Sequence, residues 1–212
     1  MIRVLLADDH NLVRAGMKSL LEKSPDIRVV AEASDGQEAI AQFKALRPDV
    51  VVLDISMPNM DGLEATKYIL SIDKTAPILI LTMYPDRQYA VRAVRAGALG
   101  YITKGSSTSE LHAAVRNVAA RRRFLLADGL DALSTRLAST GSEVELVDSL
   151  SDRELQILCL IARGRKVKEI SQELDVRSKT VETYRSRLLR KLGMHSNAEL
   201  CRFAFENALL DG

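Results

Sequence analysis

Four short apolar runs in this chain end at residues that can do chemistry. Two runs end in carboxylates, first at Asp8 and Asp9 and then at Asp54, and two later runs end at Thr82 and Lys104. A strand that is buried on both faces has a nearly continuous run of Val, Leu and Ile. We therefore expect these polar side chains where buried strands stop and a crevice opens.

The three carboxylates predict a cation site that accepts a phosphoryl group. Two carboxylates about 4 Å apart repel each other by roughly 4 kcal/mol at an effective dielectric constant of about 20, so the cluster needs a proton or a cation. Mg²⁺ prefers hard oxygen ligands and would neutralise an incoming phosphoryl group. In that chemistry Asp54 is the nucleophile, the Thr82 hydroxyl donates to a phosphoryl oxygen, and the Lys104 ammonium pairs with another.

Simpler interpretations exist for each of these residues alone. Asp8 and Asp9 can cap the helix that begins near Asn11, and a single Asp or Thr at a strand end is usually a turn residue. The five residues together favour the phosphoacceptor site. His10 can be a further metal ligand, but a solvated residue at a helix start is the favoured interpretation.

Strands and helices that would position these residues alternate up to about residue 120. The pattern predicts strands at 2–8, 27–33, 49–54, 77–82 and 99–102, and helices at 11–23, 36–46, 62–72, 86–96 and 107–120. This order predicts βαβ units, a parallel sheet and an α/β fold. Ligands of such sheets bind outside the carboxyl ends of the strands, where the polar residues stand.

Beyond residue 149 the pattern is helical only, which predicts a second, all-α domain. Ser151 and Glu154 have the spacing of a capping box, and Gly164 is expected to end that helix. Further helices are predicted at 167–174, 178–192 and 196–210, and a part-helical segment at about 127–137. The predicted domains are 1–120 and 149–212, with a linker over 121–148.

Charge separates the two domains. The whole chain has 30 basic and 28 acidic residues among 212, but positions 163–191 have ten basic against four acidic side chains. The second domain is therefore expected to bind a polyanion. Cys159 and Cys201 lack metal-ligand spacing, which predicts free thiols in a reducing compartment. No apolar run approaches the roughly 18 residues that cross a bilayer, so we expect a cytoplasmic protein without a membrane partner.

The helix predicted at 178–192 has one apolar and one polar face. Leu188 and Leu192 fall within about 60° of Val181 on a helical wheel, as do Tyr184 and Arg185. The opposite face has Lys179, Thr183, Ser186, Arg187 and Arg190. Such a face on the second helix of a helix-turn-helix enters the major groove of double-stranded DNA. The alternative is an ordinary solvated helix face.

Several motifs resemble one family. The first domain has Asp8-Asp9-His10, Asp54-Ile-Ser-Met-Pro58 with Asp61-Gly62, Thr82 and Tyr101-Ile-Thr-Lys104; the second has Leu150-Ser-Asp-Arg-Glu154, Lys168-Glu-Ile170, Lys179-Thr-Val181 and Arg190-Lys-Leu192. These motifs are similar to the receiver domain of two-component response regulators followed by a LuxR-type helix-turn-helix, as in the NarL/FixJ subfamily. The resemblance implies a flavodoxin-like (βα)5 receiver and a four-helix DNA-binding domain.

The resemblance also implies roles for individual receiver residues. Asp54 would be phosphorylated by a sensor histidine kinase, and Asp9, Asp54 and the backbone carbonyl of Ser56 would bind Mg²⁺ with help from Asp8. Tyr101 would be an aromatic residue that reorients on activation, although a plain core aromatic is equally consistent with its strand position. Many receivers have proline after the site lysine, whereas this chain has Gly105.

For the second domain the resemblance implies base-facing positions at Glu182, Thr183 and Ser186, with Lys191 near the DNA backbone. The chain has Val167 and Tyr184 where asparagine and histidine are frequent. A phosphorylation-dependent homodimer is expected, with RNA polymerase as a further partner. The last helix has a small apolar stripe that serves either for self-association or as a core face: Leu200, Phe203, Ala204 and Ala208.

Three other functions are alternatives to a phosphorylation-switched transcription regulator. A metal-dependent phosphohydrolase would need a second aspartate two residues after Asp54, where Ser56 stands. A flavin-binding module would need a phosphate-binding loop after the first strand, where Asp8 and Asp9 would repel phosphate. DNA binding without phosphorylation is disfavoured by the complete acidic set. We therefore predict a regulator and not an enzyme.

Overall fold

The computed structural model describes residues 1–83, 87–125, 146–147, 149–174, 176–207 and 209–210, without the side chains at 87, 88 and 152. The chain divides into two compact units, Met1–Ser134 and Thr135–Gly212. The helix predicted at about 127–137, and with it most of the predicted linker, lies outside the described residues.

The first unit is a parallel sheet with helices between its strands. The strands are β1 Ile2–Ala7, β2 Ile27–Ala33, β3 Val50–Asp54, β4 Ile78–Thr82, β5 Gly100–Thr103 and β6 Phe124–Leu125, in the order β2-β1-β3-β4-β5-β6. The helices are α1 Asn11–Leu21, α2 Gly36–Leu46, α3 Gly62–Ile72, α4 Arg87–Ala96 and α5 Thr108–Ala119. Every residue of β3 and β4 is buried, so both faces of the central sheet are covered as predicted.

β6 was not predicted from the sequence. Phe124 pairs with Gly100 and Leu125 with Tyr101, so this short strand extends the sheet beyond β5. Two residues are too few to show an alternating or continuous apolar pattern. Two residues near the start of the segment predicted as a linker, Phe124 and Leu125, therefore belong to the sheet.

The second unit has four helices within its described residues, as predicted. They are α6 Asp152–Ala162, α7 Val167–Glu173, α8 Ser178–Leu192 and α9 Asn197–Glu206. Ser151 and Glu154 form the predicted capping box at the start of α6. Gly164, which follows the C-cap residue of α6, has a positive φ of 78° and ends this helix. Leu158, Ile170, Val181 and Leu188 are among the buried residues that join these helices.

Both cysteines are free thiols, Cys159 buried and Cys201 half-buried, in agreement with the sequence prediction. Within the described ranges, no helix has both the length and the apolar character needed to cross a membrane.

Candidate functional site

The sheet register brings the predicted acidic residues together. β1 and β3 are parallel neighbours in which Ala7 pairs with Leu53, so the next residues, Asp8 and Asp54, leave the sheet side by side. One carboxylate oxygen each from Asp8, Asp9 and Asp54 and a ring nitrogen of His10 all lie within 4.8 Å of one another. Asp8 and Asp54 are buried, whereas Asp9 is 26% exposed. The cluster is thus a buried acidic site with one side toward solvent.

Lys104 completes the cluster from the end of β5. Its Nζ lies 2.7 Å from Asp8 Oδ2 and 2.8 Å from Asp54 Oδ2, and its side chain is only 5% exposed. The backbone N–H of Lys104 donates to the Thr82 carbonyl at 2.7 Å, which fixes the turn after the strand. With Gly105 as the next residue, Lys104 still reaches the Asp54 carboxylate.

The electrostatics of the cluster favour an additional cation. Burial raises the pKa of Asp54, Lys104 opposes that rise, and Asp8 and Asp9 add to it, so the pKa stays above its ordinary value. Burial lowers the pKa of Lys104, but Asp54 and Asp8 outweigh it and raise that pKa. Three carboxylates face a single ammonium, which leaves excess negative charge. Oxygen ligands with this charge, partly open to water, fit Mg²⁺.

Asp8 and Asp9 are not helix caps. The N-cap residue of α1 is His10, whose side chain makes no cap hydrogen bond. Asp8 Oδ1 accepts from the His10 backbone N–H at 2.9 Å, which lies before the helix, and His10 Nδ1 is 2.7 Å from Asp9 Oδ1. Asp8 and Asp9 therefore do not cap α1 as the alternative interpretation suggested, and His10 is a half-exposed residue at the helix start.

The remaining predicted residues lie at neighbouring strand ends. Thr82 is fully buried at the end of β4, and Ser56 is half-buried in the loop after β3. Tyr101 on β5 is 6% exposed, and this burial fits both a switch aromatic and a core aromatic. Each residue thus lies on the strand or loop where the sequence placed it.

Two features near the cluster shape the backbone. A Cβ at Gly62 would lie 2.1 Å from the Asp54 carbonyl oxygen, so only glycine allows α3 to begin this close to β3. Asp61 caps α3 by accepting from the N–H groups of Leu63 and Glu64.

Sequence reasoning missed Arg14 of α1, which donates to the Asp8 carbonyl. The only signal for it was a basic residue one helical turn after the acidic pair.

The polar face of α8 is exposed as predicted. Val181, Leu188 and Leu192 are buried, whereas every residue expected at a DNA contact is exposed: Lys179, Glu182, Thr183, Ser186, Arg187, Arg190 and Lys191. The Arg187 guanidinium lies over the Tyr184 ring, 5.6 Å from its centroid. Tyr184 thus supports an arginine at the edge of this face.

Two α8 residues have contacts that the sequence did not predict. Lys191 Nζ is 2.9 Å from Glu154 Oε2, so this lysine is bound to α6. Burial raises the pKa of Glu154, but Lys191 and Ser151 together hold it below its ordinary value. Among the described residues Glu182 has no ion pair, and the neighbouring basic residue Arg185 donates to Asn197 Oδ1 at 2.6 Å.

The structure decides between the two interpretations of the apolar stripe of α9. Leu200, Phe203 and Ala204 are buried, since α9 packs against α6, so these residues form a core face within the domain and not a surface for self-association. Ala208 lies outside the described residues. Phe205 is the exposed aromatic of this helix.

Comparisons with known proteins agree with this geometry. Residues 4–116 match the response regulator receiver domain, and residues 148–204 match the luxR family of bacterial regulatory proteins. Response regulator UvrY of Escherichia coli O157:H7 is 40% identical over 213 residues, which cover 99% of this chain and 96% of UvrY. Transcriptional regulatory protein LiaR of Bacillus subtilis (strain 168) is 39% identical over 211 residues, 100% of both chains.

A solved structure of two RcsB dimers bound to two parallel DNAs is also similar, with a TM-score of 0.58, 26% identity, and coverage of 95% of this chain and 96% of that chain. The chain belongs to the response regulators, in the group that joins a receiver domain to a LuxR-type helix-turn-helix. It is a DNA-binding transcription regulator of the two-component type, and the predicted family, fold class and general function are confirmed.

Proposed function

We propose that Asp54 accepts a phosphoryl group from a phosphohistidine of a sensor histidine kinase, and that this modification controls DNA binding by the second domain. In this proposal residues 1–120 receive the signal, residues 121–148 connect, and residues 149–212 bind DNA. The observation that carries the proposal is the meeting of Asp8, Asp9, Asp54 and Lys104 at one edge of the sheet.

The transfer needs little from the protein beyond position and charge. A carboxylate oxygen of Asp54 forms a bond to phosphorus while the phosphorus–nitrogen bond of the donor breaks, and the leaving imidazole keeps that electron pair. Lys104, already 2.8 Å from Asp54 Oδ2, is placed to follow the transferred group and pair with one of its oxygens. The Thr82 hydroxyl donates to another, and Tyr101 responds to the altered position of Thr82.

The donor set also supports a metal cofactor. Asp8, Asp9, Asp54 and the carbonyl of Ser56 would hold Mg²⁺, because the cluster has more carboxylates than the single ammonium of Lys104 can neutralise. A bound Mg²⁺ supplies positive charge against the phosphoryl oxygens and orients them. The exposed side of Asp9 leaves room for the water ligands that this ion keeps.

The exposed face of α8 supports a groove-binding role. Glu182, Thr183 and Ser186 are proposed to face bases, and Lys179, Arg187, Arg190 and Lys191 to face phosphates or to orient the helix. RcsB, which shares both domains, binds DNA as dimers. We expect the same assembly here, promoted by phosphorylation, with RNA polymerase as a further partner.

Phosphorylation is tested by incubating the protein with a small phosphodonor and measuring its intact mass. The parent should gain one phosphoryl group only with Mg²⁺ present, and Asp54→Asn should gain none. Asp49→Asn is the matched control, because Asp49 stands at the opposite end of the same run and accepts from the Arg3 backbone N–H. Equal labelling of Asp54→Asn, or labelling that a chelator does not reduce, would overturn the assignment.

Control of DNA binding is tested with the same preparations. A pool of random duplexes is bound with and without the phosphodonor, and the bound fragments are sequenced. The donor should change the amount or the sequence of the DNA bound by the parent and leave Asp54→Asn unchanged. Identical responses of the two proteins would contradict the proposed switch.

A further inference from the structure

Arg14 is not used by the chemistry above, yet it lies beside the acidic cluster. It is in the first turns of α1, and its side chain is 16% exposed. Its Nη1 donates to the backbone carbonyl of Asp8, Nη2 donates to Asn11 Oδ1 at 2.7 Å, and Nε donates to Glu32 Oε2 at 3.3 Å. One guanidinium therefore joins the end of β1, the start of α1 and strand β2.

The contact with the Asp8 carbonyl is the one that concerns the site. That oxygen belongs to the peptide group between Asp8 and Asp9, which is planar. A donor held on the oxygen restricts rotation of the whole plane, and with it the directions in which both carboxylates leave the backbone. The rigid planar donors of a guanidinium suit this task, and the flexible ammonium of lysine does not.

The charge of Arg14 is balanced outside the cluster. Glu32 accepts from Arg14, and its other oxygen is 2.7 Å from Lys18 Nζ. Lys18 and, to a smaller extent, Arg14 lower the pKa of Glu32, whereas burial raises it, and the pKa lies below its ordinary value. This carboxylate is therefore ionised at neutral pH. Since Arg14 binds a carbonyl and not a carboxylate in the cluster, the oxygens of Asp8 and Asp9 remain available to a cation.

We infer that Arg14 is a positioning residue for the metal site, which holds the Asp8–Asp9 peptide in the orientation that cation binding needs. The inference rests on the proposed function, since it concerns the same Mg²⁺ site. Residues that orient metal ligands typically change metal affinity by roughly 10- to 100-fold when they are replaced. We expect a loss of that size without Arg14.

The test is calorimetric titration of the full chain with MgCl₂ alone, which reads metal binding without phosphorylation. Arg14→Met should bind Mg²⁺ at least roughly tenfold more weakly than the parent. Arg14→Lys keeps the charge but loses the planar donors. Its affinity for Mg²⁺ should therefore lie between that of Arg14→Met and that of the parent. Arg28→Met is the control: Arg28 also joins β2 to a glutamate of the α1 region, Glu22, but at 65% exposure and away from the cluster.

Melting curves without metal are recorded for each variant, and titrations are done well below the lowest melting temperature. If Arg14→Met does not fold, Arg14→Lys decides the question by its Mg²⁺ affinity. Unchanged affinity in the folded Arg14 variant, or an equal loss in Arg28→Met, overturns the inference. A parent that binds no Mg²⁺ and is not labelled at Asp54 contradicts the proposed function instead, so the two failures are distinct.

Discussion

At the scale of residues, the acidic cluster that is proposed to accept phosphate is expected to reduce the stability of the fold. Asp54 is buried beside Asp8 and Asp9, and a single ammonium cannot satisfy three carboxylates. Burial of a charge costs free energy unless it is paired, so the cluster is expected to be destabilising. The same excess charge supports the proposal that the site binds a cation.

This electrostatic cost predicts a pH-dependent effect of Asp54→Asn. The pKa of Asp54 is raised above 3.8, so the stability that goes with its protonated form is present below pH 3.8 and is lost as the pH rises through the raised pKa. Asparagine does not ionise. The melting temperature of Asp54→Asn without Mg²⁺ should therefore match the parent at acid pH and exceed it increasingly toward neutral pH. A variant less stable than the parent at neutral pH would show that pairing with Lys104 outweighs burial.

Glu182 is the acidic residue of an otherwise basic and polar face. It is exposed and has no ion pair among the described residues, and we propose that it accepts from a cytosine amino group and repels phosphates. Glu182→Ala should tighten binding to random DNA and weaken preference at one base pair by roughly 1–3 kcal/mol. Titrations at one fixed salt concentration measure both effects.

The matched control is Glu173→Ala, which removes an exposed glutamate from the end of α7. It should change neither measurement appreciably. If Glu182→Ala leaves the preference at every base pair unaltered, Glu182 does not read the sequence.

At the scale of elements, the site depends on how closely α3 approaches β3. Gly62 begins α3 against the Asp54 backbone, and its N–H donates to the Ile55 carbonyl at 3.0 Å. β5 brings Lys104 from two strands away and is itself bordered by β6. The elements therefore fix the cluster through backbone contacts at least as much as through side chains.

Two glycines offer a matched comparison of this approach. Gly62→Ala puts a Cβ 2.1 Å from the Asp54 carbonyl, so the backbone must shift, and we expect a loss of about 1–3 kcal/mol together with slower phosphorylation. Gly16 lies in the exposed part of α1 with no atom within 4 Å of an added Cβ. Gly16→Ala should stabilise by about 0.5–1 kcal/mol. Urea denaturation of both variants measures the change in the free energy of unfolding. Stabilisation by Gly62→Ala would contradict the close approach of α3 to β3.

At the scale of the whole molecule, the two units have nearly the same net charge but distribute their charged residues differently. The first has nearly balanced charges, whereas positions 163–191 have six more basic than acidic residues. Attraction to phosphates should therefore reside in the second unit and depend on salt. In the proposed function the first unit receives the phosphoryl group and the second unit binds DNA.

The salt dependence of DNA binding tests this division. The logarithm of affinity should fall linearly with the logarithm of salt concentration. Arg187→Gln and Arg190→Gln should each reduce the slope by about 1. Arg116→Gln, which removes an arginine of the first unit bound to Asp26 at 2.8 Å, should leave the slope unchanged. An equal reduction in all three variants would show that the charge acts through the whole chain.

The sequence by itself predicted the family, the described helices and strands other than β6, and the meeting of Asp8, Asp9 and Asp54 at one edge of the sheet. The strands that end at Asp8, Asp54 and Thr82, and the capping box at Ser151, are local patterns of neighbouring residues, so they were read from the chain directly. The carboxyl ends of parallel strands share one edge of a sheet, which is why distant residues could be assigned to one site.

Only the tertiary structure decided which groups touch. The stripe with Leu200 and Phe203 is equally apolar whether it meets a second copy or α6, and packing buried it within the domain. Lys191, which is predicted to lie near DNA, is also bound to Glu154, and Arg14 reaches the Asp8 carbonyl. Such contacts depend on distances between separate elements, which local periodicity does not contain, because a pattern shows which face is apolar or charged and not what lies opposite it.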